Sequence, residues 1–332
     1  MKRQALIFLL LSALCVALFA ADMCIGSVNI PLRQLLAALT GGDCPEGTVQ
    51  IVKGIRLTKA LVAILAGAAL SVSGLQMQTL FRNPLAGPYV LGVSSGASLG
   101  VALFVLGAPI LGAAPWLQQM GITGAAWLGA AIVLAAITAV GQRIKDIMVV
   151  LILGIMFSSG VGAVVQALQY ISREEALKTF VVWTMGSLSD VTASQLKLMA
   201  AAITAGLLVS VVTIKPLNLL LMGEEYARTM GLDLRRSRML IFVATTLLAG
   251  TVTAFCGPIG FIGMALPHVA RMTLRSADHR TLLPGALLWG IAAMLSCDIC
   301  SKLLLMPINV VTSLLGIPIV VWVVMRNKSI NV

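Results

Sequence analysis

Ten long apolar stretches follow one another along the chain, separated by charged or Gly/Pro-rich breaks. Most of them reach the roughly 17 to 25 residues that a helix needs to cross the hydrocarbon core of a bilayer. Only 11% of the 332 residues are charged, whereas about a quarter are charged in a typical soluble protein. The pattern excludes a cytosolic enzyme and a nucleic-acid-binding module, and it predicts an all-α membrane protein with about ten transmembrane helices. The stretches are 5–21, 60–80, 93–111, 121–140, 147–168, 193–214, 239–255, 259–272, 282–301 and 310–325.

The eighth stretch is too short for a regular membrane span. It follows Gly257, Pro258 and Gly260, which interrupt a helix. Backbone that breaks at membrane depth must be enclosed by protein or line a cavity. We therefore expect a broken eighth helix that neighbouring helices shield from lipid.

Basic residues indicate the orientation of the chain. With the amino terminus in the cytoplasm, only eight of the 23 Lys and Arg residues lie on the outer side: Arg33, Lys53, Arg56, Lys59, Arg173, Lys178, Lys197 and Lys302. The positive-inside rule then predicts ten helices with both termini in the cytoplasm. An alternative is that the first helix is a signal peptide cleaved near Ala20 and Ala21.

Polar residues are scarce within the apolar stretches. Ion-coupled transporters are expected to keep carboxylates or histidines at mid-membrane, and this chain has almost none. His268 is interpreted as a hydrogen-bonded structural residue, and Asp298 and Lys302 have the i, i+4 spacing of a local ion pair. The chain has no metal-binding motif and no phosphate-binding loop, so we predict no metal, cofactor or catalytic residue.

The cysteines carry little functional information. Cys24 and Cys44 lie in the first outer loop and are compatible either with a disulfide or with two free thiols. Cys297 and Cys300 have the spacing of a redox motif, but they lie inside an apolar stretch and are interpreted as small core residues.

The longest cytoplasmic segment, residues 215–238, differs in composition from its surroundings. Gly223 precedes Glu224 and Glu225, and acids in a first helical turn suit the helix dipole. Gly231 can end the helix in a left-handed conformation. We interpret the segment as two short helices that form a docking surface within a single domain, residues 1–332; the alternative is a solvated amphipathic connector.

On the outer side, residues 172–188 predict a short amphipathic helix near the interface. The alternative is a surface loop with an aromatic anchor.

Five motifs, in the same order and spacing, resemble the FecCD family, the permeases of type II ABC importers for ferric siderophores, haem and cobalamin. The resemblance covers nearly the whole chain. Its motifs are RNPLAGPYVLGVSSGASLG (82–100), GEEYARTMG (223–231), GPIGFIGMALPHVAR (257–271), DHR with LP (278–280 and 283–284) and VTSLLGIP (311–318).

The resemblance implies a transport subunit that hydrolyses no ATP itself. It would pair with a second copy in the bacterial inner membrane, with two ATPase subunits below and a substrate-binding protein above, and would bind no nucleic acid. An ion- or proton-coupled secondary transporter is the alternative class. The residues that would couple the chain to the ATPase are Gly223, Glu224, Glu225, Ala227, Arg228, Gly231, Leu232 and Asp233.

The resemblance also assigns residues at the two faces of the membrane. Arg56, Lys59 and Lys302 match cations that dock the binding protein. The chain departs from the family at two places: the family's R-x-P-R reads Arg56-Leu-Thr-Lys59 here, and near the outer start of the tenth helix, where the family often has an acid before L-P-x-G, the chain reads Leu305-Met-Pro-Ile-Asn309. Pairing of Lys302 with Asp298 is the competing interpretation. Residues predicted at the cytoplasmic gate are Arg143, Lys145 and Asp146, for which an ordinary positive-inside loop is the alternative.

Overall fold

The apolar stretches form helices, the conformation in which a single segment satisfies its own backbone hydrogen bonds within lipid. The computed structural model describes residues 2–107, 115–141, 144 and 146–328, and the long elements among them are all helical. The helices are α1 (Lys2–Cys24), α2 (Leu32–Thr40), α3 (Glu46–Leu80), α4 (Val93–Gly107), α5 (Pro115–Gly141), α6 (Ile147–Ile171), α7 (Glu174–Thr184), α8 (Ala193–Val212), α9 (Ile214–Leu221), α10 (Glu224–Thr229), α11 (Leu234–Cys256), α12 (Ile262–Leu274), α13 (His279–Leu304) and α14 (Ile308–Lys328).

The all-α membrane fold is confirmed, and each of the ten predicted stretches contains a helix. Among the described residues, seven helices are long and apolar enough to cross a membrane: α1, α3, α5 from Gly121, α6, α8, α11 and α13. Two further apolar helices, α4 and α14, are shorter over their described parts, and α12 has 13 residues.

The predicted break before the eighth stretch is present. Helix α11 ends at Cys256 and α12 begins at Ile262, with positive φ angles at Gly257 (74°) and Phe261 (65°). Side chains from elsewhere satisfy the backbone of the break: the Ile259 amide donates to the Tyr89 hydroxyl (3.4 Å) and the Gly260 amide to Asn309 Oδ1 (3.0 Å). The broken backbone is therefore enclosed by protein, as the membrane environment requires.

Two helices begin earlier than the sequence predicts. Helix α3 starts at Glu46 and not near residue 60, passing through a wide π-helical segment over Gln50–Leu57. The charges of Lys53 and Arg56 hide this extension from a search for apolar residues. Helix α11 starts at Leu234 because the Asp233 side chain caps it by accepting from the Arg236 amide (3.0 Å). Arg56 and Lys59 consequently lie within α3 and not before its start.

Helix α3 forms the centre of the core and packs against α12 and α13. Small residues let the backbones approach closely, as in other membrane helix pairs. A Cβ atom added at Gly67 of α3 would lie 2.2 Å from the carbonyl oxygen of Gly290 in α13. The crossing of α3 and α13 therefore depends on the absence of side chains at these positions.

The amphipathic helix predicted over residues 172–188 is present as α7. Phe180 is buried, and its ring centroid lies 6.1 Å from that of Trp183. Arg173, Glu174 and Glu175 remain exposed at its start. This short helix packs against α4.

Candidate coupling site and outer charge cluster

Residues 215–238 contain the two short helices that the sequence predicts. Helices α9 and α10 are separated by Gly223, whose φ angle is 105°, and Gly231 follows α10 with a φ angle of 81°. A side chain disfavours such angles, so both glycines are required by the backbone. The predicted left-handed conformation of Gly231 is confirmed.

Different interactions stabilise the two ends of helix α10. At its carboxyl end, the Gly231 amide donates to the Arg228 carbonyl (2.9 Å) and the Leu232 amide donates to the Ala227 carbonyl (3.0 Å). This pair of bonds is the Schellman arrangement. At its amino end, Glu224 and Glu225 complement the helix dipole. Hydrogen bonds at the carboxyl end and acidic residues at the amino end thus stabilise a helix of only six residues.

The side chains of α10 divide into one anchor and an exposed set. Ala227 is fully buried against the membrane helices. Glu225, Tyr226, Arg228 and Met230 are exposed, Met230 with 58% of its surface accessible. The helix therefore presents several side chains to a partner while one small residue fixes its position.

An ion pair that the sequence analysis did not identify ties α10 to the bundle. Glu224 Oε1 lies 2.5 Å from Arg238 Nη2, and the Arg238 side chain is only 8% exposed. Arg238 also donates from Nη1 to the carbonyl of Ile144 (3.4 Å), just before α6. The two residues are 14 positions apart across a turn, so no local spacing rule points to them.

Helix α9 is joined to α13 by hydrogen bonds of Asn218. Its amide nitrogen donates to Asp278 Oδ1 (2.6 Å), and its Oδ1 accepts from the backbone amide of His279 (2.9 Å). Hydrogen bonds from the Arg280 backbone amide and from the Asn218 side chain stabilise the Asp278 carboxylate and lower the pKa of Asp278 below its usual range. A further hydrogen bond of 2.8 Å joins His279 Nε2 to Thr79 Oγ1 of α3, so α9, α13 and α3 are linked.

The three residues predicted to dock a binding protein contact groups of this chain. Arg56 is buried; its Nη1 donates to the carbonyls of Met23 (2.9 Å) and Cys24 (3.1 Å), and its Nη2 donates to that of Val28. A guanidinium at the carboxyl end of α1 matches the negative end of that helix dipole. Arg56 therefore fixes the end of α1 against α3.

Lys59 and Lys302 form a cluster with two buried aspartates, which we call the outer charge cluster (Asp22, Lys59, Asp298 and Lys302). Lys59 Nζ lies 3.0 Å from Asp298 Oδ1, and Lys302 Nζ lies 2.9 Å from Asp298 Oδ2 and 2.8 Å from Asp22 Oδ1. Both carboxylates are fully buried, while the lysine side chains are 15% and 9% exposed. The predicted local pair of Asp298 and Lys302 is confirmed, and the docking role stays a prediction.

Asp22 was missed as a member of this cluster, although one signal was available. It directly follows the first apolar stretch and is the only acidic residue in α1, and such a residue requires a partner in a membrane. The partner, Lys302, is 280 residues away.

Of the residues predicted at a cytoplasmic gate, Arg143 and Lys145 lie outside the described residues. Asp146 caps α6 by accepting from the Met148 amide (2.8 Å). The gate role stays a prediction.

The remaining polar residues behave as structural elements. His268 Nε2 lies 2.7 Å from the Pro84 carbonyl, which confirms its interpretation as a hydrogen-bonded structural residue. Cys24 and Cys44 are free thiols in this structure, and Cys297 is buried as predicted. No group of three or more potential metal ligands occurs within the described residues.

Comparison with known proteins gives concordant results over nearly the full length. The profile of the FecCD transport family matches residues 13–326. The chain is 35% identical to the hemin transport system permease protein HmuU of Yersinia pestis, covering 98% of this chain and 97% of that protein. It is 36% identical to the vitamin B12 import system permease protein BtuC of Klebsiella pneumoniae, covering 92% and 93% of the two chains.

A solved structure shares the fold. It is an ABC transporter assigned to the metal-chelate type, in an inward-facing conformation, and superposes with a TM-score of 0.82 at 28% sequence identity. The match covers 97% of this chain and 99% of the other. The similarity therefore extends through every helix group described above.

Proposed function

This chain belongs to the FecCD transport family of ABC-importer permeases, and from that premise we propose that it is the membrane subunit of an ATP-driven importer of metal chelates. The chelate, a ferric siderophore, haem or cobalamin, would arrive on a substrate-binding protein. Two separate ATPase subunits would supply the energy. This chain would perform no chemistry, and its work would be mechanical.

The observation that carries the proposal is the construction of α10. The helix is capped at its carboxyl end, anchored by Ala227 and tied to Arg238 through Glu224, yet its other side chains are exposed. A six-residue helix with this support is suited to fit a groove on another protein and to transmit its displacement. We assign ATPase coupling to Gly223, Glu224, Glu225, Ala227, Arg228, Gly231, Leu232 and Asp233.

A second copy of the chain is the partner that we propose within the membrane. Helices α6 and α14 carry large apolar side chains that are at least half exposed in the single chain, among them Ile152, Met156, Leu314 and Val321. A bulky chelate would pass along a pathway between the two copies. This pathway would have no strong binding site, because a strong site would retain the substrate.

Both termini are proposed to lie in the cytoplasm. Arg143, Lys145 and Asp146 would then lie near the inner mouth, and Arg56, Lys59 and Lys302 would face the binding protein.

The ion-coupled alternative receives little support from the described residues. The two buried carboxylates Asp22 and Asp298 lie near the ends of α1 and α13. Each is within 3.0 Å of a lysine, an arrangement typical of a structural ion cluster.

Reconstitution tests the proposal. The permease is placed in liposomes with its ATPase and binding protein, and ATP-dependent uptake of haem, cobalamin and a ferric siderophore is compared. We expect uptake of one ligand class, dependent on ATP and on the binding protein. Uptake driven by a proton gradient without ATP would contradict the proposal.

A further inference from the structure

Arg238 occupies a position that connects three parts of the molecule. It lies in the second turn of α11, its side chain is 8% exposed, and it contacts both Glu224 of α10 and the Ile144 carbonyl. Asp146, two residues after Ile144, caps α6. One guanidinium thus joins the exposed helix α10 to the start of a membrane-spanning helix.

The chemistry of the guanidinium suits this task. Its planar array of N–H donors can bind a carboxylate and a carbonyl at the same time in a fixed geometry. A charge-assisted bond to Glu224 is stronger than a neutral one. Because the side chain is enclosed by the bundle, water competes weakly for these bonds, and a displacement of Glu224 is passed on to Arg238.

We propose that Arg238 is a positioning residue that transmits the movement of α10 to the start of α6. The inference rests on the proposed function, because it assumes that an ATPase moves α10. It adds a specific route: Glu224 carries the displacement, Arg238 receives it, and the Ile144 carbonyl passes it to α6. Side chains that contact neither Glu224 nor the Ile144 carbonyl lie outside this route.

The chain offers matched controls for a test. Arg236 is an exposed arginine two residues from Arg238, and Glu174, at the start of α7, is an exposed acid outside the coupling segment. Arg236→Gln and Glu174→Gln remove the same charges as Arg238→Gln and Glu224→Gln without disturbing the pair of Glu224 and Arg238. A charge exchange, Glu224→Arg with Arg238→Glu, restores an ion pair but leaves position 238 without a donor for the Ile144 carbonyl.

Movement of α6 is followed at Met148, which lies in the first turn of that helix and is 41% exposed. Met148→Cys is introduced into the permease, which is reconstituted in nanodiscs with its ATPase subunits. The rate of maleimide labelling of the peptide containing residue 148 is measured by mass spectrometry, without nucleotide and with ATP and vanadate. The parent protein should show different labelling rates in the two states.

In Arg238→Gln we expect the ATPase to remain bound and active, while the nucleotide-dependent difference in labelling is lost. The charge exchange should also lose the difference, and both control variants should keep it. The inference is overturned if Arg238→Gln keeps the difference, if the charge exchange restores it, if the parent shows none, or if Arg238→Gln releases the ATPase, since the pair would then only shape the docking surface. A parent protein that binds no ATPase would instead contradict the proposed function itself.

Discussion

Gly231 follows α10 with a φ angle of 81°, and a Cβ atom added to it would meet no atom within 4 Å. Valine at this position would strain the backbone without any clash, because a β-branched residue resists positive φ angles. We expect Gly231→Val to displace the turn after α10 and to reduce both ATPase stimulation and uptake in the reconstituted complex.

Gly41 provides the control for this substitution. It has the same φ angle of 81°, open surroundings, and a place in the segment after α2, remote in sequence from α10. Gly41→Val should cost similar stability, of the order of 1 to 3 kcal/mol, but leave ATPase stimulation intact. Equal loss of stimulation in both variants would assign the effect to general destabilisation.

Lys302 pairs with two buried carboxylates, and its removal leaves Asp22 without a cation. Breaking a buried ion pair at one partner costs about 3 to 5 kcal/mol. We expect Lys302→Met to lower the thermal unfolding midpoint of the purified permease markedly. Asp22→Asn in the same protein should recover part of the loss, because it removes the unpaired charge.

Lys53 is the matched control for Lys302, since it is an exposed lysine on the same side. Lys53→Met should change stability by less than about 0.5 kcal/mol, as surface substitutions usually do. If Lys302→Met were equally mild, the outer charge cluster would not stabilise the fold.

At the level of the helices, the contact between α3 and α13 is the most demanding feature. A methyl group at Gly67 would lie 2.2 Å from the Gly290 carbonyl oxygen, and backbone atoms cannot rotate away. We expect Gly67→Ala to force the helices apart and to lower the unfolding midpoint. Gly160→Ala in α6, where nothing lies within 4 Å, should leave the midpoint unchanged or raise it slightly.

Helix positions and helix boundaries differ in how well the sequence predicts them. The break before α12 is encoded locally by Gly257, Pro258 and Gly260, and the structure contains it. The start of α3 is not encoded locally, because its first turns carry the charged residues Lys53 and Arg56. Lys53 is exposed, and Arg56 donates hydrogen bonds to backbone carbonyls that are distant in sequence. A hydropathy profile therefore places the start of this helix too late, because it contains no information on distant hydrogen-bond partners.

At the scale of the whole molecule, a charge change at Lys59 tests whether this residue docks a binding protein or only stabilises the fold. The outer charge cluster is neutral, so Lys59→Gln leaves it with a net charge of −1, and an acidic partner should then associate more slowly. The deficit should shrink as salt rises, because the Debye length falls from about 10 Å at 0.1 M to about 3 Å at 1 M.

Binding of the cognate protein to the permease in nanodiscs measures this effect across that salt range. Lys53→Gln removes one exposed charge from the same side and serves as the control. Equal slowing in both variants would indicate general attraction to a positive surface and would contradict a specific role of Lys59.

Contacts between distant segments are the part of the site that the sequence could not predict. The family motifs locate α10 and its glycines, but the partner of Glu224 and the partner of Lys302 emerge only after the helices are packed. Spacing rules describe neighbours along one helix. They contain no information on which carbonyl or carboxylate a second helix brings within 3 Å.

The close crossing of α3 and α13 also limits how the sequence can vary. At Gly67 the obstacle is the Gly290 carbonyl, and at Gly290 it is the Gly67 carbonyl, each 2.2 Å from an added Cβ. Since this nearest obstacle is a backbone atom, no substitution at the facing position can relieve it. In a library of random variants, positions 67 and 290 should each tolerate only glycine, and double variants should recover nothing that the single ones lose.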